Sequence, residues 1–268
     1  MIETAKKMFK PIKRISEISL SDFNNQYAIP KIPLVIEKMS QDWPATTKWS
    51  LSAFKARFAD KIIEITRSSD AYTKEMRFED FIEYMQETDD EHAYYFKNWE
   101  FEDDHPELLE EYKVLPHFQS WLDSLPAEQR PRFKWIYIGP KNSYSKLHID
   151  ILKTNAWNIL FTGKKLWLFF PPEEQENLYS NQFHPDFPGY LFPSASGLNG
   201  YYAVQNPGEI MFTPGDWFHQ VYNLESTIAL TENYVNETNF DLVRDHLKSI
   251  ENEQLLLGLE MLKQNFTS

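Results

Sequence analysis

Between Phe133 and Tyr234 one short apolar run follows another, and glycine or proline closes most of them. Phe133–Ile138 stops at Gly139-Pro140, Ala156–Phe161 at Thr162-Gly163, Lys165–Phe170 at Pro171-Pro172, and Glu209–Thr213 at Pro214-Gly215. Leu147–Leu152, Tyr201–Val204, His219–Asn223 and Thr227–Tyr234 complete the series. Runs of roughly four to eight residues suit strands and are short for helices that must bury one face. Many short strands with tight turns predict two packed sheets, a double-stranded β-helix of jelly-roll form. The pair around Thr162-Gly163-Lys164 reads as a hairpin.

Helical spacing flanks this region, so the fold class is mainly β with flanking helices. Ser19 or Ser21 caps a short helix near Asp22, and Ser50 precedes Leu51, Phe54 and Phe58 at helical spacing. Phe78, Phe81, Ile82 and Met85 repeat that spacing, while Ile32–Ile36, Lys61–Ile65 and Ala93–Phe96 read as strands. Three parts of one unit follow: an N-terminal α/β segment over residues 1–130, the β core over 131–236, and a helical segment over 237–268. Residues 171–200 are polar and rich in proline and glycine, which reads as a functional loop inserted into the core.

Two places in the core carry chemistry. His148-Ile149-Asp150 puts two metal-ligating side chains on one face of an extended segment, because residues two apart point the same way. Pro214-Gly215-Asp216-Trp217-Phe218-His219 offers a second histidine on a distant strand. Two imidazoles and one carboxylate with open positions form the facial triad of non-haem Fe(II) oxygenases. An isolated H-x-D is common by chance, with the histidine half-buried and the aspartate in a turn. The later histidine in a β-rich chain makes the metal reading the stronger one.

An oxygenase that uses 2-oxoglutarate also needs a cation for the distal carboxylate. Lys165 alternates with Leu166 after the turn and can face inward, where a lysine needs an anionic partner. Spacing alone leaves it equally readable as a solvated turn lysine, as Lys164 is. Ser145 precedes the H-x-D strand with a hydroxyl, and Asn158 brings an amide from the next strand. Trp157, Trp167 and Trp217 add aromatic walls, although aromatic residues are more often core than contact.

Composition removes several classes. The chain has 268 residues, no cysteine and a formal net charge of −13. Thiolate metal sites, disulfides and a cysteine nucleophile are therefore excluded. The charge disfavours nucleic acid and anionic membranes as partners. No apolar run has signal-peptide or membrane-spanning length, which leads to the expectation of a soluble cytoplasmic protein.

Two stretches carry a family resemblance: IGPKNSYSKLHIDILKTNAWNILFTGKKLWLFFP and PGEIMFTPGDWFHQVYNLESTIALTENYVN. Weaker similarity runs upstream through PLVIEKMSQDWPATTKWSL, FIEYMQETDDEHAYYF and LLEEYKVLPHF. The chain resembles the jumonji-C oxygenases of the cupin superfamily. Within them it is most similar to the lysyl-hydroxylase group also described as arginine demethylase and phosphatidylserine receptor. The resemblance implies Fe(II) bound by His148, Asp150 and His219, and 2-oxoglutarate bound by Lys165 and Ser145 with Asn158, Tyr94 and Asn233. The family more often has threonine where Ser145 stands. Phe96, Trp135, Trp157 and Thr227 are implied as pocket lining.

The implied reaction is hydroxylation of a C–H bond with O2, giving succinate and CO2, with a protein side chain as substrate and lysine favoured. N-methyl demethylation, or hydroxylation of a small molecule or modified tRNA base, uses the same oxidant. A non-catalytic cupin-like binding module and a cupin-type hydrolase or isomerase are the rivals. The first does not need an intact triad, and neither needs Lys165. The chain lacks the long basic and serine-rich extensions of nuclear relatives. Its C-terminal leucines suit either a cap on the barrel or a homodimer contact.

Overall fold

The computed structural model describes residues 1–180 and 197–267. Its strands, in chain order, are β1 (Lys10–Pro11), β2 (Lys13–Ile15), β3 (Leu34–Ile36), β4 (Ile62–Arg67), β5 (Thr73–Arg77), β6 (Tyr94–Trp99) and β7 (Lys134–Gly139). They continue as β8 (Tyr144–His148), β9 (Asn155–Thr162), β10 (Lys165–Phe170), β11 (Tyr201–Gln205), β12 (Ile210–Thr213), β13 (Phe218–Asn223) and β14 (Thr227–Tyr234). One sheet runs β1-β11-β10-β13-β8, and the other runs β2-β3-β12-β9-β14-β7-β6-β4-β5. From β9 to β14 the chain passes between the sheets four times, the winding of a double-stranded β-helix.

The expected hairpin at Thr162-Gly163-Lys164 is not one. β9 pairs with β12 and β14, whereas β10 pairs with β11 and β13, so this turn carries the chain across the barrel. A two-residue connection between apolar runs fits either geometry, and both strands are buried along nearly their whole length, which hides the alternation a hairpin would show. Gly163 makes the crossing feasible. Its φ is +82°, and an added Cβ would lie 2.1 Å from the Ser226 carbonyl oxygen.

A layer of aromatic side chains covers the outer face of the longer sheet. Trp157, Ile159 and Phe161 point outward from β9 into this layer, and Ala156 and Asn158 point inward. Trp157 stacks on Phe118 at 5.6 Å and meets Trp43 edge-on at 6.0 Å. Burying each such ring contributes on the order of 3 kcal/mol. Helices Leu51–Phe58 and Phe78–Glu87 close the layer with Phe54, Phe58, Phe78 and Phe81. The Ser50 cap is present, accepting from the Ala53 amide at 3.2 Å, and of the two serines considered upstream Ser19 is the cap.

Helices Phe240–Ser249 and Glu253–Thr267 bury Leu247 and Leu262 against Trp121, while Leu255, Leu257 and Met261 stay exposed. The expected insertion at 171–200 is described only at its ends, where Gln175–Ser180 is helical. Its middle, 181–196, lies outside the described residues. Among those described, no helix is long and apolar enough to cross a membrane.

Substituting Gly163→Ala should destabilise the protein by at least ~2 kcal/mol, since a left-handed backbone and a backbone clash act together. Urea denaturation checks this, and an unchanged midpoint would show that the crossing tolerates a side chain.

Candidate metal centre

The β8–β13 ladder sets the two histidines side by side. His148 and His219 are register partners, with ring centroids 4.2 Å apart. Each Nδ1–H donates to a backbone carbonyl two residues earlier, His148 to Lys146 O at 2.7 Å and His219 to Trp217 O at 3.1 Å. A carbonyl only accepts, so Nδ1 carries a proton in both rings, which leaves Nε2 as the atom that can bind a metal. Those Nε2 atoms lie 4.0 and 3.7 Å from Asp150 Oδ1. The three ligand atoms fall within 4.8 Å of one another, a group able to hold a metal ion.

Asp150 reaches this point by a route that alternation does not describe. The expected strand Leu147–Leu152 ends at His148, and Ile151–Lys153 forms a 3-10 turn with Leu152 and Lys153 at φ +52° and +55°. Asp150 occupies the cap position of that turn in extended conformation, yet its side chain caps nothing. An aspartate there ordinarily accepts from the turn's amides. Here the carboxylate faces the cavity, and its Oδ2 is buried without a hydrogen-bond partner among the described residues. Gly215 lets the turn before His219 pack against this one. Its amide donates to Asn155 Oδ1 at 2.9 Å, an added Cβ would lie 1.9 Å from Lys153 O, and Lys153 pairs with Asp216 at 2.7 Å.

Burial dominates the electrostatics. It raises the Asp150 carboxyl to about 6, against opposing pulls from His148 and Asn233. It holds His219 well below its ordinary range, with the charge of His148 adding to the effect, so this imidazole stays neutral. A neutral ligand and an under-compensated carboxylate are what a bound cation stabilises.

The triad opens on a cavity of about 610 Å³ between the sheets. Lys165 is buried in its wall, with Nζ donating to the Tyr95 hydroxyl at 3.0 Å. Asn158 donates from Nδ2 to Thr231 Oγ1 at 2.7 Å and leaves Oδ1 buried without a partner among the described residues. Ser145, Asn233, Trp135 and Trp167 also line the cavity. Trp167 holds its indole N–H on Gln205 at 2.7 Å and stacks toward the His219 ring.

Four residues implied as pocket residues lie elsewhere. Tyr94 and Phe96 point out of the barrel from β6, Phe96 into the aromatic layer and Tyr94 against Tyr84 and under Lys74. Tyr95 takes the inward position instead. Three aromatic residues in a row give no alternation to read, so the face was open by one residue. Trp157 points into the outer layer, because even-numbered positions on β9 face inward. Thr227 sits at the closed end of β14, roughly 13 Å along the strand from Thr231, with its hydroxyl on Gly139 O. Thr231 was missed as well, and its pairing with Asn158 across the β9–β14 ladder is the signal that finds it.

A family model for the cupin-like domain matches residues 20–240, most of the chain. The chain belongs to the cupin-like family. This cupin-like protein is 31% identical over 247 residues to the lysine-specific demethylase JMJ21 of Arabidopsis thaliana, covering 87% of this chain and 26% of that protein. It is 29% identical over 245 residues to the bifunctional arginine demethylase and lysyl-hydroxylase psr-1 of Caenorhabditis briggsae, covering 85% and 62%. It is 28% identical over 276 residues to the 2-oxoglutarate and iron-dependent oxygenase JMJD4 of Danio rerio, covering 88% and 64%. The chain thus spans from a quarter to two thirds of the length of these relatives. The resemblance to the jumonji-C oxygenases is borne out.

In the metal-free protein the Asp150 carboxyl should titrate near pH 6, and divalent-metal affinity should fall as pH drops through that value, because the ligand form is the carboxylate. NMR titration of the side-chain carboxyl carbon checks it, and a midpoint below 5 would contradict the burial argument.

Proposed function

We propose that this cupin-like protein is an Fe(II)- and 2-oxoglutarate-dependent oxygenase that hydroxylates a C–H bond of a protein side chain, with lysine the first candidate. One observation carries the reading: the His148–Asp150–His219 group and the buried ammonium of Lys165 open on the same cavity. A simple metal hydrolase or isomerase has no use for that lysine. The orphaned Asp150 Oδ2 and Asn158 Oδ1 are the polar atoms that a metal and its cosubstrate would satisfy.

In this reading His148, Asp150 and His219 hold iron. When bound, iron would supply the oxidising chemistry, coupling O2 and 2-oxoglutarate decarboxylation to insertion of one oxygen into a C–H bond. Lys165 and the Tyr95 hydroxyl hold the distal carboxylate of 2-oxoglutarate, with Thr231, Asn158 and Ser145 adding hydrogen bonds around it. Trp167 shields the His219 side of the site from water. Asn233 steadies Asp150 while donating to Thr154 Oγ1 at 2.9 Å. The demethylase names of relatives favour a second outcome, oxidation of an N-methyl group at the same position. A cysteine-free chain suits a reducing setting, and we place the protein in the cytoplasm.

With Fe(II), O2 and 2-oxoglutarate the wild type should form succinate, and His219→Ala should abolish that formation. Wild-type protein that binds iron but yields no succinate with any candidate peptide would sink the reading. Mass spectrometry of the peptides separates the two outcomes, since hydroxylation adds one oxygen and demethylation removes one methylene. Tyr95→Phe should raise the KM for 2-oxoglutarate roughly tenfold, the loss of one hydrogen bond to a charged group. Tyr94→Phe should leave it unchanged, and equal effects of the two would return the pocket role to Tyr94.

A further inference from the structure

Lys97 has no part in the roles assigned so far. It follows Tyr95 by two residues on β6 and lines the same cavity, roughly 7 Å farther along the strand. Burial falls from Tyr95 through Lys97 to Glu100, so Lys97 stands where the cavity opens. Three half-buried lysines of this chain hold a carboxylate: Lys61 pairs with Asp104 at 3.0 Å, Lys134 with Glu102 at 3.4 Å and Lys153 with Asp216 at 2.7 Å. Lys97 has no such partner among the described residues. In a chain with 40 acidic residues against 27 basic ones, acids are plentiful, and a half-buried lysine on a cavity wall without one lacks the charge that would offset its desolvation. Burial lowers its pKa, and the like charge of Lys146 adds to the effect. A lysine so placed gains most from an anion that arrives from outside.

We propose that Lys97 receives an anionic group of the substrate, a carboxylate or a phosphate, beside the carbon that is oxidised. This rests on the oxygenase reading and narrows its substrate class. A target lysine presented alone would meet like charge at the mouth. Presented next to aspartate, glutamate or a phosphorylated serine, it is drawn in. Trp135 and Tyr137, on the neighbouring strand β7, line the same cavity and give the apolar stem of such a side chain aromatic surface.

Two arms test this. In the first, the protein is loaded with zinc and 2-oxoglutarate, so that the inner site is filled and no turnover occurs. Its lysines are 13C-methylated, and Lys97→Arg assigns the Lys97 signal. Titration with N-acetylaspartate methylamide and with inorganic phosphate should shift that signal saturably, the stronger of the two naming carboxylate or phosphate. The neutral N-acetylasparagine methylamide should not shift it. In the second arm, iron-loaded protein is given two peptide pools around lysine that differ only in Asp, Glu and phosphoserine against Asn, Gln and serine. The acidic pool should stimulate succinate formation at least tenfold more, and Lys97→Gln should bring the ratio to about one. No saturable shift in the first arm, or equal stimulation by both pools, overturns the proposal. The zinc arm needs no turnover, so it judges Lys97 even if wild-type succinate formation fails and the oxygenase reading with it.

Discussion

The ladder between β8 and β13 is the constraint on which the rest of the cavity depends. It makes His148 and His219 register partners, and its bulge between His219 and Val221 sets the end of β8 where Asp150 can turn in. A one-residue slip would send both rings to opposite faces of the sheet. The backbone carbonyls of Lys146 and Trp217 then orient the two rings, so that their Nε2 atoms converge on Asp150, whose carboxylate Asn233 steadies. β8 is the edge strand of its sheet, which leaves His148 more exposed than its partner, 43% against 5%. One side of the triad is buried and the other faces the open cavity.

The second constraint is the crossing at Gly163. Because β9 and β10 belong to different sheets, Asn158 and Lys165 enter the cavity from separate walls. Paired side by side in a hairpin, the two strands would place both groups on one wall. The crossing instead sets Lys165 on one sheet against Tyr95, Asn158 and Thr231 on the other. A buried ammonium on a phenol, with no carboxylate beside it among the described residues, is costly unless a ligand anion completes it.

Much of this was legible in the residues. The His148-x-Asp150 spacing and the later His219 need only a β-rich chain to be read, and the strand positions from Phe133 to Tyr234 follow from apolar runs and turns. The sheet to which each strand belongs was not legible, because strands buried on both faces lose their period, and β9 and β10 are both of that kind. For the same reason Trp157 read as a wall residue and stands in the outer aromatic layer. The tyrosine of the cavity was missed by one position, since Tyr94, Tyr95 and Phe96 are all strand formers and only packing against the helix Phe78–Glu87 selects the outward pair. Lys97 gave no signal at all in the sequence. A lysine on a strand is ordinarily solvated, and the want of an acidic partner exists only in three dimensions.

Iron, cosubstrate and chain are joined most directly in one optical measurement. Under anaerobic conditions, wild-type protein with Fe(II) should gain a weak visible charge-transfer band when 2-oxoglutarate is added, because the cosubstrate chelates a metal held on three protein ligands with open positions. Asp150→Ala protein should show no band. A wild type that binds Fe(II) yet shows none on adding 2-oxoglutarate, or a band that survives in Asp150→Ala, would contradict the account.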